Sequence, residues 1–199
     1  YAHKDDRTTP LEETMETFDR LINAGKIRYI GASNYLAWRL ERAKWVCETN
    51  LWAQYCCVQQ RYTYLPMRPG ASSGRQEVAN EDLRQYCVDT DTTLLAYSVM
   101  LGGAYTRDDR PMPEGYVSPD NKERLQTLRT IAGELGATPN QVILCWMKQS
   151  SPSVIPLIAA STTEQLQENI FFFQVKNINI NTLKTCYQEL ILTYISTQH

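Results

Sequence analysis

Strand-forming runs alternate with helix-forming runs along nearly the whole chain, and no hairpin signal joins any two strands. Strands separated by helices pair in parallel, through right-handed crossovers. That pattern removes sandwiches, meanders and helical bundles and leaves an α/β fold. Apolar runs at 27–30, 55–60, 92–97 and 153–158 read as strands, with a stub at 1–3, in the order αβαβαβααβαα. Four clear strands and a stub do not close a (β/α)₈ barrel, which takes about 250 residues. By pattern alone the choice lies between an open doubly wound sheet and most of a barrel. No GxGxxG follows any strand, so the doubly wound reading lacks its usual phosphate turn.

Helix ends are written in capping residues. Thr9-Pro10 opens the first helix, with Glu12 and Glu13 in its first turn and an apolar stripe of Leu11, Met15, Phe18, Leu21 and Ile22. Gly25 stops it. A second helix is expected over 37–49, with Trp38, Leu40, Ala43 and Val46 or Cys47 inward. Asn80 caps a helix over 81–88, and a helix over 119–135 ends at Gly136. Thr138-Pro139 opens a helix through 148, Thr162 caps 163–171, and a last helix covers 181–194. The loops 61–79 and 98–118 are long for α/β connections, which marks them as functional or mobile.

The 199 residues suit one medium domain, taken as 1–199. A net charge of −2 gives no basic surplus for nucleic acid or an anionic membrane. No apolar run approaches the roughly 20 residues that cross a bilayer. Cys47, Cys56, Cys57, Cys87, Cys145 and Cys186 form no CxxC pair and read as reduced thiols of a cytoplasmic protein without a signal peptide. Tyr1 rather than Met stands first, which fits a fragment or a processed form. His3 and His199 lie at opposite ends and the cysteines are dispersed, so no metal site is expected. No GxSxG motif suggests hydrolysis. Tyr62 and Tyr64 read as aromatic loop anchors ahead of pocket residues, the run Arg107 to Arg110 as a solvated face, and the four tryptophans as core or half-buried packing.

The stretch from Gly25 to Tyr35 organises the rest. A helix stops, a short strand follows, and a small-residue turn presents Ser33 and Asn34. Polar side chains at the carboxyl end of a strand are where α/β proteins place ligand contacts. A turn that merely redirects the chain is the competing reading.

Several segments together resemble the later half of the aldo-keto reductase superfamily. They are His3-Lys4-Asp5-Asp6 with Thr9-Pro10-Leu11-Glu12-Glu13-Thr14, then Gly25-Lys26-Ile27-Arg28-Tyr29-Ile30-Gly31-Ala32-Ser33-Asn34. Val58-Gln59-Gln60-Arg61-Tyr62, Ala96-Tyr97-Ser98 with Leu101-Gly102-Gly103, and Gly136-Ala137-Thr138-Pro139-Asn140-Gln141-Val142 continue the match. Ile155-Pro156-Leu157-Ile158-Ala159-Ala160-Ser161, followed by Glu164-Gln165-Leu166-Gln167-Glu168-Asn169, completes it. The resemblance implies a TIM-barrel-type (β/α)₈ fold, here a partial barrel of about five parallel strands. It also implies carbonyl reduction with NADP(H).

Residue by residue, the resemblance gives His3 the role of polarising the substrate carbonyl. It gives Ser33, Asn34 and Gln59 the nicotinamide carboxamide, and Tyr97 the face of the nicotinamide ring. Ser98, Leu101 and Gly103 match the loop under the pyrophosphate. Ser161, Gln165, Glu168 and Asn169 match contacts to the adenosine 2′-phosphate and adenine. Many relatives carry Arg or Lys near Ser161, so the choice between NADP(H) and NAD(H) stays open. The family's Asp, Tyr and Lys precede its histidine, and no residue of this chain matches them. A second expectation stands beside the first: a shortened, non-redox relative that binds a partner or catalyses an isomerisation or dehydration. Its open sheet edges would favour a homodimer.

Overall fold

The computed structural model describes residues 1–174. The expected helix over 181–194, Cys186 and His199 lie outside the described residues. One parallel sheet runs in the order β1 (Ile30–Ser33), β2 (Tyr55–Arg61), β3 (Thr93–Tyr97) and β4 (Val154–Pro156). Ala2 forms a single parallel bridge to Ala32, where the stub was expected: its N–H donates to Gly31 at 2.9 Å and its carbonyl accepts from Ser33 at 2.8 Å. The α/β parallel architecture expected from the sequence is therefore present.

The first strand lies three residues later than expected, at 30–33 and not 27–30. The helix α1 (Leu11–Asn23) ends with Gly25 at φ +69°, and the Gly25 and Lys26 amides donate back to Ile22 and Leu21. That wrap uses the chain up to Lys26, and Tyr29 is left 79% exposed. Ile30 to Ser33 are all buried, so pairing against Tyr55–Gln59 overrides the weak strand propensity of Gly and Ala.

The described chain divides into two compact units. The first contains Tyr1–Tyr62, Ser73–Tyr97 and Ser151–Leu157, and so holds the whole sheet. Burial along its strands alternates. Val58, Gln60, Leu94 and Ala96 are buried, while Cys57, Gln59, Leu95 and Tyr97 are partly open. The packed face shares its core with Leu11 and Met15 of α1, Leu40, Ala43, Val46 and Cys47 of α2 (Ala37–Asn50), and Leu83 and Cys87 of α3 (Glu81–Asp89). Trp38 and Trp45 depart from the sequence reading, at 51% and 62% exposed. Trp38 stands two residues before Leu40, about 200° around the helix from it, so both cannot face inward. The Arg7 guanidinium lies 5.4 Å from the Trp38 ring centre instead.

One buried ion pair fastens the segment after His3 to α2. Asp5 Oδ1 accepts from Arg39 Nε at 3.0 Å, and both side chains are 8% exposed.

The described part of the second unit contains Thr63–Ser72, Ser98–Ser150 and residues 158–174. Its helices are α4 (Pro119–Glu134), α5 (Pro139–Gln149) and α6 (Thr163–Ile170). Thr138 and Gln141 form a full capping box on α5. Tyr64 is an anchor, as expected: its ring meets Trp146 edge-on at 5.7 Å and its hydroxyl donates to the Arg124 carbonyl at 3.3 Å. The run from Arg107 to Arg110 is exposed.

Candidate functional site

The turn after β1 is built around a side chain that completes four hydrogen bonds. Asn34 sits at φ +58°, a conformation Asn tolerates better than most residues. Its Nδ2 donates to the His3 carbonyl at 3.1 Å and to Ser33 Oγ at 3.0 Å. Its Oδ1 accepts from the Tyr97 hydroxyl at 2.7 Å and from the Glu77 amide at 3.1 Å. Both donors and both lone pairs are thus used within the protein.

Gln60 holds this turn from the packed side. It is 1% exposed. Its Oε1 accepts from the Asn34 amide at 2.7 Å, and its Nε2 donates to the Tyr35 carbonyl at 3.0 Å. A buried carboxamide needs such partners to offset its desolvation.

On the open side lies a cavity of about 330 Å³ in the first unit. His3, Asn34, Gln59 and Tyr97, four residues singled out from the sequence, line it together. Asn34, Gln59 and Tyr97 reach it from the carboxyl ends of β1, β2 and β3. Ser33 is 0% exposed and stands behind Asn34. The Gln59 carboxamide has no protein partner among the described residues. The imidazole of His3 is likewise without one and is exposed.

Lys4, Arg75 and Gln76 complete the lining, and sequence reasoning did not find them. The loop after β2 delivers the last two by folding back. Arg61 donates its amide to Glu77 at 3.2 Å and accepts from Ala79 at 2.9 Å, and its Nη1 reaches Gln76 Oε1 at 2.6 Å. Nothing in the spacing of residues 61–79 announces that return.

The remaining expected contacts belong to the second unit. Ser98, Leu101 and Gly103 have φ of +59°, +46° and +96°, and the Leu101 amide donates to the Ser98 carbonyl at 3.0 Å. Leu101 is buried. Ser161 is exposed, and its amide donates to Gln165 Oε1 at 2.8 Å. Glu168 is committed elsewhere: its carboxylate accepts from Thr138 Oγ at 2.7 Å and Asn140 Nδ2 at 3.2 Å, where it supports the start of α5. Asn169 is 5% exposed.

The thiols play no part in the cavity. The five described cysteines are free, and burial pushes Cys47 and Cys87 up to about 11, which keeps both protonated and unreactive at neutral pH.

Comparison with known proteins bears on the family and the fold. The profile described as Aldo/keto reductase family matches residues 1–188. Versiconal hemiacetal acetate reductase of Aspergillus parasiticus is 25% identical over 188 residues, covering 87% of this chain and 52% of that protein. Aldo-keto reductase yakc of Schizosaccharomyces pombe, whose name carries NADP(+), is 27% identical over 191 residues, covering 88% of this chain and 52% of its own length. The crystal structure of the thermostable aldo-keto reductase Tm1743 superposes with a TM-score of 0.71 at 26% identity, over 92% of this chain and 57% of that one. The chain spans about half the length of the curated relatives it matches.

Proposed function

The chain belongs to the aldo/keto reductase family, and from that premise we propose that it takes part in the NADP(H)-dependent reduction of an aldehyde or ketone. The observation that carries this reading is one cavity, at the carboxyl ends of parallel strands, lined by His3, Asn34, Gln59 and Tyr97.

The residues fit a nicotinamide amide. Gln59 offers two donors and an acceptor that the protein leaves unused, the complement of a carboxamide. Asn34 is already saturated, so its part is to position: it holds the Tyr97 ring by the phenol and the segment before Ala79 by the Glu77 amide. The fixed Tyr97 ring offers a flat face for stacking. The cofactor, when bound, supplies a hydride. His3 faces the same cavity, where an imidazole N–H donates to a carbonyl oxygen and draws off its developing charge. Lacking a cationic side chain at position 161, the chain leaves the choice between NADP(H) and NAD(H) to titration with both. No helix among the described residues is long and apolar enough to cross a membrane, and free thiols and a reduced nicotinamide are in keeping with the cytosol.

A reductase of this kind also needs a proton donor, and no residue here matches the family's tyrosine. The 199-residue chain is expected to bind NADPH, read as a change in NADPH fluorescence, and to reduce an aromatic aldehyde about 10²–10⁴-fold more slowly than a relative with all four catalytic groups. A flat fluorescence titration overturns the cofactor reading. Turnover at the relative's rate overturns the assignment of the proton donor outside these residues.

One observation favours self-association as well. Ile155 pairs with Leu95 on the sheet face that carries Gln59, and it is 50% exposed, with Leu157 38% exposed nearby in sequence. Exposed apolar groups on an open sheet face favour a homodimer. Sedimentation is expected to report about twice the 22.9 kDa chain mass, and a monomer at high concentration removes this part of the reading.

A further inference from the structure

We propose that the cavity selects carbonyl compounds that also carry an oxyanion, a carboxylate on the substrate, and that Lys4 and Arg75 receive it. The inference rests on the reductase reading above for the carbonyl end and on independent observations for the anionic end.

The lining holds two permanent cations, Lys4 and Arg75, and no carboxylate. Neither cation forms an ion pair among the described residues. This runs against composition, because acids outnumber bases in the chain by 22 to 20. The acids beside Lys4 in sequence are engaged by other groups. Asp5 is held by Arg39 at 3.0 Å and Arg7 at 3.3 Å. Asp6 accepts from the Thr8 hydroxyl at 2.6 Å and the Thr9 hydroxyl at 2.8 Å. Lys4 therefore faces the cavity without a local counter-charge.

The two cations complement one another. An ammonium is a compact point charge, whereas a guanidinium presents a fork that fits both oxygens of a carboxylate. A cavity wall screens less than open water, which strengthens the attraction. His3 and Gln59 line the same cavity as the two cations, so one molecule that carries both a carbonyl and a carboxylate meets both sets of groups. A volume near 330 Å³ suits a single ring with two small substituents.

The same oxyanion chemistry is offered by a dinucleotide phosphate, and the experiment separates the two. Calorimetric titration of the chain with 4-formylbenzoate and with its uncharged methyl ester is done before and after saturation with NADPH. The acid is expected to bind about tenfold tighter than the ester or better. Arg75→Met and Lys4→Met should each remove most of that preference and leave ester binding unchanged. Both positions are exposed, so the variants are expected to fold. Lys122→Met, an exposed cation in the second unit, should change nothing. Added salt should shrink the preference.

Equal affinity for acid and ester overturns the inference, as does a preference that survives Arg75→Met. Displacement of the acid by NADPH also overturns it, because the cations then serve the dinucleotide. Equal affinity for acid and ester in a chain that binds NADPH removes the inference and leaves the reductase reading in place. Arg75-dependent acid binding by a chain that never binds NADPH supports the anion contact and overturns the reductase reading alone.

Discussion

Arg39→Met is expected to destabilise the first unit by about 3–5 kcal/mol, read from the shift in the urea midpoint. Arg39 and Asp5 are each 8% exposed at the side chain and meet at 3.0 Å. Methionine fills much of the same volume, so the loss is mainly the stranding of a buried carboxylate. Arg7 is a weak substitute, at 3.3 Å and 58% exposed. The double variant Asp5→Leu with Arg39→Met should recover much of the stability, because removing both charges leaves none uncompensated. A shift under about 1 kcal/mol would mean the pair behaves as a surface bridge. Asp5 is two residues from His3, so the single variant should also loosen the strand stub that presents the histidine.

The second large effect is expected at Asn34. Asn34→Ala removes four side-chain hydrogen bonds and leaves a residue poorly suited to φ +58°. A β-carbon without a compensating polar group costs about 1–2 kcal/mol there, and stranding the Glu77 amide adds about 1–3 kcal/mol. NADPH affinity should fall by about 10–100-fold, because the His3 carbonyl, Ser33, the Glu77 amide and the Tyr97 hydroxyl all lose the side chain that gathers them at the cavity. Tyr97→Phe keeps the ring and drops only the hydroxyl, so its effect on affinity should be about tenfold at most. Gln59→Ala should weaken NADPH binding with little change in the urea midpoint, since its carboxamide takes no protein partner. If Asn34→Ala binds NADPH normally, the positioning role given to the residue is wrong.

Local features were the most legible in the sequence. Asn80, Thr138 and Thr162 cap their helices as read, because each cap satisfies an amide three residues on. Parallel pairing followed from alternation alone, whereas the sheet order β1-β2-β3-β4 did not, since alternation suits a doubly wound sheet as well as part of a barrel. The grouping of His3, Asn34, Gln59 and Tyr97 required the resemblance, since strand-end position says only that a residue faces the same side of the fold.

What escaped reading depends on partners far along the chain. Gln60 bonds to Asn34 and Tyr35, 26 and 25 residues away, and Asp5 to Arg39, 34 residues away. A signal for Gln60 did exist: it falls on the buried beat of β2, two residues after Val58, where a polar side chain must find a partner. Arg75 reaches the cavity only because the loop after β2 pairs with Arg61 on its return, a contact that spacing cannot encode. Trp38 lies outside the core because its angle on the helix, not its size, decides which way it faces.

The four bonds of Asn34 also bound what evolution is able to write at that position. Glycine satisfies the backbone and forfeits every side-chain contact. Aspartate keeps the acceptors for Tyr97 and Glu77 but turns a carboxylate toward the His3 carbonyl, where a donor is needed. Serine and threonine lack the forked donor and acceptor pair. Glutamine has the right chemistry on a stem one carbon too long and tolerates a positive φ poorly. Of these six side chains, asparagine alone meets the φ and all four partners at once, so the loops around the cavity can change in shape more freely than this one position can change in kind.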